Sequence, residues 1–285
     1  MGLHSSKFKK DSINSNHSSI SDKYRFEDGR RFHNINNSKY FLPNDDEECD
    51  RLHMMHFIYR CVWQSNFSAP VELLLNQEGT KILDVGTGAG SWLLEMSTNY
   101  PLSKFIGIDI SLIQPSCIKP KNAEFIQANV LERLPFHNYT FDFVFQRLLF
   151  AGIPGNEWRS VINELVRVLK PGGYIEIVNG LIFIFNERGL DRQICYKLQG
   201  YLEEHIQLHN VHSEIKKNYD GDDAKKLCSL MAENYATFLK SVKPKLMSVI
   251  GVLSDEYDNL VKNMKDEIIE LDSFSTQVRV YAQKR

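Results

Sequence analysis

Hydrophobic residues in the central part of the chain alternate between strand-like runs and helical periodicity. The run Lys81–Val85 is short, apolar and followed by glycines, and 91–98 carries apolar residues at helical spacing. The next apolar runs are 104–109, 123–127 and 140–145, then the amphipathic stretch 158–169 and the strand-like run 174–178. Near-continuous apolar strands that alternate with helices are typical of a parallel sheet covered on both faces. We therefore predict an α/β fold with a doubly wound parallel sheet.

The flanks of this region differ from it. A helical face of apolar residues begins near Glu48, and Pro70 can open a second short helix over 71–76. Residues 190–271 are predicted to be mostly helical, and the alternating segment 277–282 is predicted as a final strand.

The composition is that of an ordinary soluble protein. The chain has 285 residues, 42% of them hydrophobic and 25% charged, with a formal net charge of -2. The near-neutral balance argues against nucleic acid as the main partner, and no apolar run is long enough for a spanning helix. The first residues lack an apolar signal-peptide core, which predicts an intracellular protein of the cytoplasm or nucleus. Five widely spaced cysteines favour neither a disulfide framework nor a zinc ribbon.

The N-terminal segment 1–47 is rich in Ser and Asn, so we predict a disordered tail. Its first six residues fit the acylation pattern M-G-x-x-x-[ST], and basic residues follow directly. An acylated Gly2 with Lys7, Lys9 and Lys10 would attach the protein peripherally to a membrane. A plain disordered tail and a localisation signal are the alternatives.

The glycine-rich loop of residues 82–90, ILDVGTGAG, lies between a predicted strand and a predicted helix. Gly86 permits a tight turn, and Gly88 lets a ligand approach the backbone closely. The spacing G-x-G-x-G departs from the dinucleotide pattern G-x-G-x-x-G, which opposes an NAD-dependent oxidoreductase. Asp84 would repel a pyrophosphate but suits a cationic ligand, and Asp109 at the next strand end can hold two ribose hydroxyls. The pattern predicts an adenosyl ligand that carries an amino acid; a tight turn without a ligand is the alternative.

Five motifs follow one another in order: ILDVGTGAG, FIGIDIS, EFIQANV, FDFVFQR and LKPGGYIEI. In this order they resemble the class I S-adenosylmethionine-dependent methyltransferases. DRLHMMHF and VINELVRVLKPGGYIEI resemble the fungal branch of LaeA- and UMTA-like proteins. The resemblance implies a Rossmann-like, mostly parallel sheet with an antiparallel last strand and helical additions. It also implies a methyltransferase domain over 48–285, with the core at 78–180, a helical substrate lobe at 181–271 and the final strand at 274–283.

The resemblance further implies S-adenosylmethionine as cofactor and a role for each matching residue. Asp84 would hold the methionine amino group, Asp109 the ribose hydroxyls, and Ile110 would pack on the adenine. The remaining implied cofactor residues are Gly86, Thr87, Gly88, Ala89 and Gly90 around the methionine moiety, Asn129 and Val130 at the adenine edge, and Gln146 and Arg147 on the sulfonium and substrate side. Asn129 could instead be a turn residue, and Gln146 and Arg147 could be a solvated strand end.

One expected element is not recognisable. The resemblance implies a sixth strand among the C-terminal helices, whereas residues 213–226 are polar and predicted as a loop. The sheet is therefore predicted to be one strand short, or the strand to be very degenerate.

No residue identifies a general base. His53 and His56 lie on the helix that would cover the cofactor, where packing or solvation is the alternative to a catalytic role. His205, His209 and His212 would share a helical face, but nothing completes a ligand set, so no metal site is predicted. We predict methyl transfer by in-line displacement to an unidentified small-molecule or protein acceptor. The alternative is a LaeA-like regulator that binds the cofactor with little or no turnover.

Overall fold

The computed structural model describes residues 24–34, 41–180, 191, 193–216, 223–271 and 276–285. Across these ranges, no helix is both long enough and apolar enough to span a membrane. Gly2, Lys7, Lys9 and Lys10, which the acylation pattern singled out, lie outside the described residues.

A seven-stranded sheet forms the centre of the molecule, with the order β5-β4-β3-β6-β7-β9-β8. The parallel ladder joins β5 to β4, β4 to β3, β3 to β6 and β6 to β7, whereas β9 runs antiparallel to both β7 and β8. The strands are β3 (Lys81–Val85), β4 (Lys104–Asp109), β5 (Ala123–Gln127), β6 (Phe141–Arg147), β7 (Leu169–Gly180), β8 (Leu208–Lys216) and β9 (Gln277–Lys284). The predicted doubly wound, mostly parallel sheet with an antiparallel last strand is confirmed.

Helices cover both faces of this sheet. One face packs against α4 (Trp158–Val168) and α5 (Ile194–Glu203), and the other against α1 (Asp46–Trp63) and α3 (Ser91–Asn99). Phe143 and Phe145 of β6 point to the second face, where the ring of Trp92 stacks on Phe145 with centroids 3.9 Å apart. Burial on both sides explains why these strands read as continuous apolar runs. The remaining helices are α2 (Glu72–Leu75), α6 (Ala224–Ser241), α7 (Lys243–Ile250) and α8 (Ser254–Glu270).

The sixth strand is present in the degenerate form that was one of the two alternatives, and the alternative of a sheet one strand short is wrong. Strand β8 pairs with β9 over the register from Leu208–Lys284 to Lys216–Gln277, and it forms the edge of the sheet. Because an edge strand there has one solvated face, most of β8 is exposed and its sequence is polar. Its residues therefore lack the continuous apolar run by which buried strands are recognised. Residues 213–216, which we had predicted as loop, belong to this strand.

The N-terminal segment is also more ordered than predicted. Strands β1 (Tyr24–Glu27) and β2 (Arg30–His33) form an antiparallel hairpin within the segment 1–47 that was predicted to be disordered. Asp45 accepts hydrogen bonds from the Arg30 guanidinium and from the backbone N–H of Glu48, so it ties the hairpin to the start of α1. Phe41 and Leu42 are buried against α6 and α8. The folded part of the described chain thus includes residues before 48, where the composition had predicted the domain to begin.

Candidate functional site

A cavity of about 1050 Å³, including its open mouth, lies at the carboxyl ends of β3, β4 and β6 and beneath α1. This is the edge of an open α/β sheet where ligands characteristically bind, because the strand order reverses there. The lining residues are Leu52, Met55, His56, Asp84, Gly86, Thr87, Gly88, Ala89, Ser91, Trp92, Ile108, Asp109, Ile110, Ala128, Asn129, Val130, Leu131, Arg147, Leu148, Leu149 and Gly152.

The glycine loop turns sharply between β3 and α3. Gly86 has φ of 70°, and a Cβ placed on it would come within 2.8 Å of the Leu149 side chain. Gly90 has φ of 84°, and a Cβ there would come within 2.9 Å of the Phe125 ring. Both positions need glycine because they combine left-handed backbone with close approach. The loop therefore presents its backbone to the cavity, as the motif predicted.

Asp109, the last residue of β4, contacts this loop through its side chain. Its carboxylate accepts hydrogen bonds from the backbone N–H groups of Gly88 and Ser111, each at 2.9 Å. Burial raises the pKa of Asp109 against the opposing effect of these bonds. A carboxylate fixed in this way keeps lone pairs directed at the cavity, where it can accept from neighbouring hydroxyl groups.

Asp84 occupies the other end of the cavity. Its side chain is 4% exposed and accepts a hydrogen bond of 2.6 Å from the Thr87 hydroxyl. Burial raises the pKa of Asp84 to about 6. A buried carboxylate with one protein donor is a site for a cationic group, which would supply the charge that the protein leaves uncompensated.

Asn129 both lines the cavity and makes a turn. Its side-chain oxygen accepts from the backbone N–H of Leu131 at 3.1 Å, which is an Asx turn. Asn129 is therefore a turn residue, as the alternative interpretation held, and it also lines the cavity. Ile110 and Val130 supply apolar surface on the same side of the cavity as Asp109.

Arg147, the last residue of β6, reaches the cavity from the face that carries α1 and α3. Its guanidinium donates a hydrogen bond of 3.1 Å to Nδ1 of His56. The other ring nitrogen of His56 lies 2.7 Å from the Glu95 carboxylate. Burial, followed by the charge of Arg147, lowers the pKa of His56 to about 4, so the imidazole is neutral at pH 7. His56 thus belongs to a buried polar network rather than to the solvated face of α1.

Two of the predicted cofactor residues do not line the cavity. Gln146 is fully buried on the opposite face of β6, because alternate side chains of a strand point to opposite faces. Neither polar atom of its amide has a hydrogen-bond partner in the described part of the chain. Gly90 is the N-cap residue of α3, and its left-handed backbone shapes the end of the loop. The other ten predicted residues all line the cavity.

Several lining residues were not predicted from the sequence. Leu52 and Met55 come from α1, and Leu148, Leu149 and Gly152 come from the segment after β6. Gln114 bridges the loop by donating to the carbonyl oxygens of Gly88 and Ser111. The resemblance implied that α1 covers the cofactor, and its helical periodicity marks Met55 as buried, but neither signal identified Leu52 and Met55 as the residues that line the cavity.

The three C-terminal histidines do not share a helical face. His205 lies in the turn after α5, whereas His209 and His212 lie on β8. Within the residues that the structure describes, no cluster of three or more His, Cys, Asp or Glu side chains could hold a metal ion.

The charges of the cavity fit an adenosyl group joined to an amino acid. In the strand order β5-β4-β3-β6, Asp109, Ile110 and Val130 lie at or after the ends of β4 and β5, whereas Asp84 lies on β3 and Arg147 ends β6. The acid and the base on β3 and β6 match an ammonium and a carboxylate, and the apolar surface after β4 and β5 suits a purine ring.

Comparisons with known proteins agree with this geometry. Residues 82–173 match the family model described as "Methyltransferase domain". The chain is 34% identical over 174 residues to the methyltransferase pytC of Aspergillus terreus, which is 60% of this chain and 51% of that protein. It is 30% identical over 172 residues to the secondary metabolism regulator laeA of Aspergillus flavus, which is 59% of this chain and 44% of that protein. The chain thus spans about half the length of the curated relatives it matches.

Among solved structures, a candidate methyltransferase from an antibiotic biosynthesis pathway of Anabaena variabilis has a TM-score of 0.52. The match covers 80% of this chain and 97% of that one at 13% identity, so it shows the fold. Residues 82–173 are thus similar to the methyltransferase domain of that family model, and the longer match is to fungal methyltransferases and LaeA-like regulators.

Proposed function

We propose that this methyltransferase domain makes the chain an enzyme that binds S-adenosylmethionine and transfers its methyl group to a small molecule or a protein. The observation that carries the proposal is the arrangement of Asp84, the glycine loop and Asp109 around one cavity at the carboxyl edge of the sheet. The ten predicted cofactor residues that line this cavity remain proposals as ligand contacts, whereas Gln146 and Gly90 do not line it.

S-adenosylmethionine supplies a methyl group already activated on a sulfonium, which reacts by in-line displacement. The residues of the chain therefore mainly bind and orient. Asp84 offers a carboxylate to a cation, Asp109 offers one to hydroxyl groups, and Leu52, Met55 and Leu149 contribute apolar surface to the cavity. His56 is held neutral between Glu95 and Arg147, so neither ring nitrogen is left to take a proton from an acceptor.

Isothermal titration calorimetry of the purified chain tests the proposal with S-adenosylmethionine, S-adenosylhomocysteine and NAD. We expect binding of the first two and none of NAD. Absence of binding by a sample that unfolds cooperatively would sink the proposal, and preference for NAD would replace it with an oxidoreductase.

A second candidate function is cofactor binding that serves regulation, with little or no turnover. Its support is the similarity to proteins named as secondary metabolism regulators, over about 59% of this chain. Incubation with methyl-labelled cofactor and cell extract separates the two functions. A labelled product that forms with the wild-type chain but not with an Asp84 variant supports the enzyme. Cofactor binding without any labelled product supports the regulator.

We also propose that the protein is intracellular and attaches peripherally to membranes through an acylated Gly2 next to Lys7, Lys9 and Lys10. The support is the sequence pattern alone. Intact-mass measurement of the protein from its native host is the test: an added acyl chain on Gly2 supports the attachment, and an unmodified Gly2 refutes it.

A further inference from the structure

Arg147 differs from Arg51 and Arg167 because its guanidinium faces a cavity and, among the described residues, no Asp or Glu forms an ion pair with it. Among the described residues that line the cavity, it is the only Arg or Lys. Its described hydrogen bond goes to His56, and the Tyr59 ring lies 5.9 Å away. Burial lowers the pKa of Arg147, while Asp84 and Glu95 act on it without forming an ion pair.

Other arginines in the same structure show the contrast. Arg51 donates two hydrogen bonds, of 2.8 and 2.6 Å, to Glu48, and Arg167 donates two, of 2.7 and 2.6 Å, to Glu164. A buried cation without such a partner costs free energy, and that cost is recovered when a ligand brings an anion to it.

The side chains behind Arg147 fix its position. Because a carboxylate can only accept, the His56 nitrogen 2.7 Å from Glu95 must carry the proton. The other nitrogen of the neutral ring is then an acceptor and takes the hydrogen bond from Arg147. In the described part of the chain this hydrogen bond uses only one nitrogen of the guanidinium, so the other N–H groups can donate to a ligand in the cavity.

Arg147 and Asp84 lie on the same face of neighbouring strands. Asp84 pairs with Phe145 in the parallel ladder, so Arg147 follows two residues later on the same face. The cavity thus offers a carboxylate and a guanidinium at one end, and a second carboxylate, Asp109, at the other. An α-amino acid carries one ammonium and one carboxylate, which is the complement of the first pair.

We propose that Arg147 binds the carboxylate of the cofactor's amino-acid end, and that Glu95 and His56 are positioning residues that hold Arg147 for this contact. The proposal rests on the proposed function and deepens it, since it makes the site selective for cofactors that keep this carboxylate. Asp84 binds the neighbouring ammonium.

Two ligands that differ only in the carboxylate provide the test. S-adenosylhomocysteine has it, and S-adenosyl-3-thiopropylamine has the same adenosine, thioether and amine without it. Calorimetry on the full chain should show at least about 30-fold tighter binding of S-adenosylhomocysteine, the ratio expected for one buried charge pair. This measurement needs no variant, so it stands even if a substitution prevents folding.

Arg147→Met should remove this preference. We expect S-adenosylhomocysteine to bind at least about 30-fold more weakly and S-adenosyl-3-thiopropylamine to change by no more than about threefold. His56→Phe should lower the ratio of the two affinities partially, because Arg147 keeps its charge but loses its orientation. Arg147→Lys should recover part of the ratio. Arg60→Met is the matched control, since Arg60 also contacts Glu95 but is half exposed and does not line the cavity.

Three outcomes overturn the inference. Equal loss of both ligands in Arg147→Met would make Arg147 a structural residue. An unchanged ratio in that variant would place the carboxylate elsewhere, for example at the first N–H groups of α3. Unchanged affinity for S-adenosylhomocysteine with loss of methyl transfer would assign Arg147 to the acceptor. If the wild-type chain binds neither ligand, the proposed function itself fails, which is a different result from these three.

Discussion

At the scale of single residues, the charge of the buried acid Asp84 is expected to change with pH in the range where binding can be measured. Its pKa is raised to about 6 by burial, so below that pH the carboxyl takes up a proton and loses its attraction for a cation. A bound ammonium favours the ionised form, and binding therefore releases a proton when the pH is low.

We expect the affinity for S-adenosylhomocysteine to fall as the pH drops below about 6, by up to about tenfold per pH unit, and to level off above it. His56 does not interfere, because its pKa of about 4 keeps it neutral over this range. Calorimetry between about pH 5 and about pH 8 measures the profile. In Asp84→Asn the binding should be weaker and the slope should shrink. A slope that persists in this variant and vanishes in Asp109→Asn would assign the titration to Asp109.

At the scale of elements, the unit of β3, its glycine loop and α3 could be predicted almost completely from the sequence. Strands β3 and β4 begin and end where the apolar runs do, because these strands are buried and short. The edge strand β5 also has the predicted bounds, although only Ala123 in it is buried. The polar edge strand β8 could not be recognised in this way, since pairing with β9 and not hydrophobicity defines it. The same limit explains Gln146, whose place in the motif FDFVFQR is clear but whose face of β6 depends on the strand register.

Gly86→Ala tests the loop. The added Cβ would meet Leu149 at 2.8 Å in a backbone with φ of 70°, so the loop or the lining must shift. We expect the free energy of unfolding to fall by about 1 to 2 kcal/mol. The affinity for S-adenosylhomocysteine should fall by about tenfold. Gly172→Ala is the control: its φ is 79°, but nothing lies within 4 Å of the added Cβ and the residue is far from the cavity.

Chemical denaturation and calorimetry on both variants separate strain from binding. Gly172→Ala should lose about 1 kcal/mol of stability and keep the wild-type affinity. If both variants lose affinity equally, the close approach of Gly86 to Leu149 plays no part in the site.

At the scale of the whole molecule, the N-terminal residues 41–45 are integral to the fold. Phe41 is 2% exposed and packs with α6 and α8, whereas Phe26 of the hairpin is 74% exposed. We expect Phe41→Ala to lower the free energy of unfolding by about 3 to 5 kcal/mol, and Phe26→Ala to change it by less than about 0.5 kcal/mol. Urea denaturation followed by circular dichroism measures both. Equal stability of the two variants would contradict the role of this segment in the core.

By itself, the sequence determined the parts of the protein whose chemistry is local. Apolar runs specify buried strands, glycines at G-x-G-x-G specify a tight turn, and acids at two strand ends predict a site for an adenosyl amino acid. Only the tertiary structure decided what depends on contacts between distant residues. It paired β8 with β9, folded the N-terminal hairpin onto Asp45, and brought Glu95, His56 and Arg147 into one network. The physical reason is that burial and hydrogen bonding across long sequence separations are set by packing, and no local pattern records them.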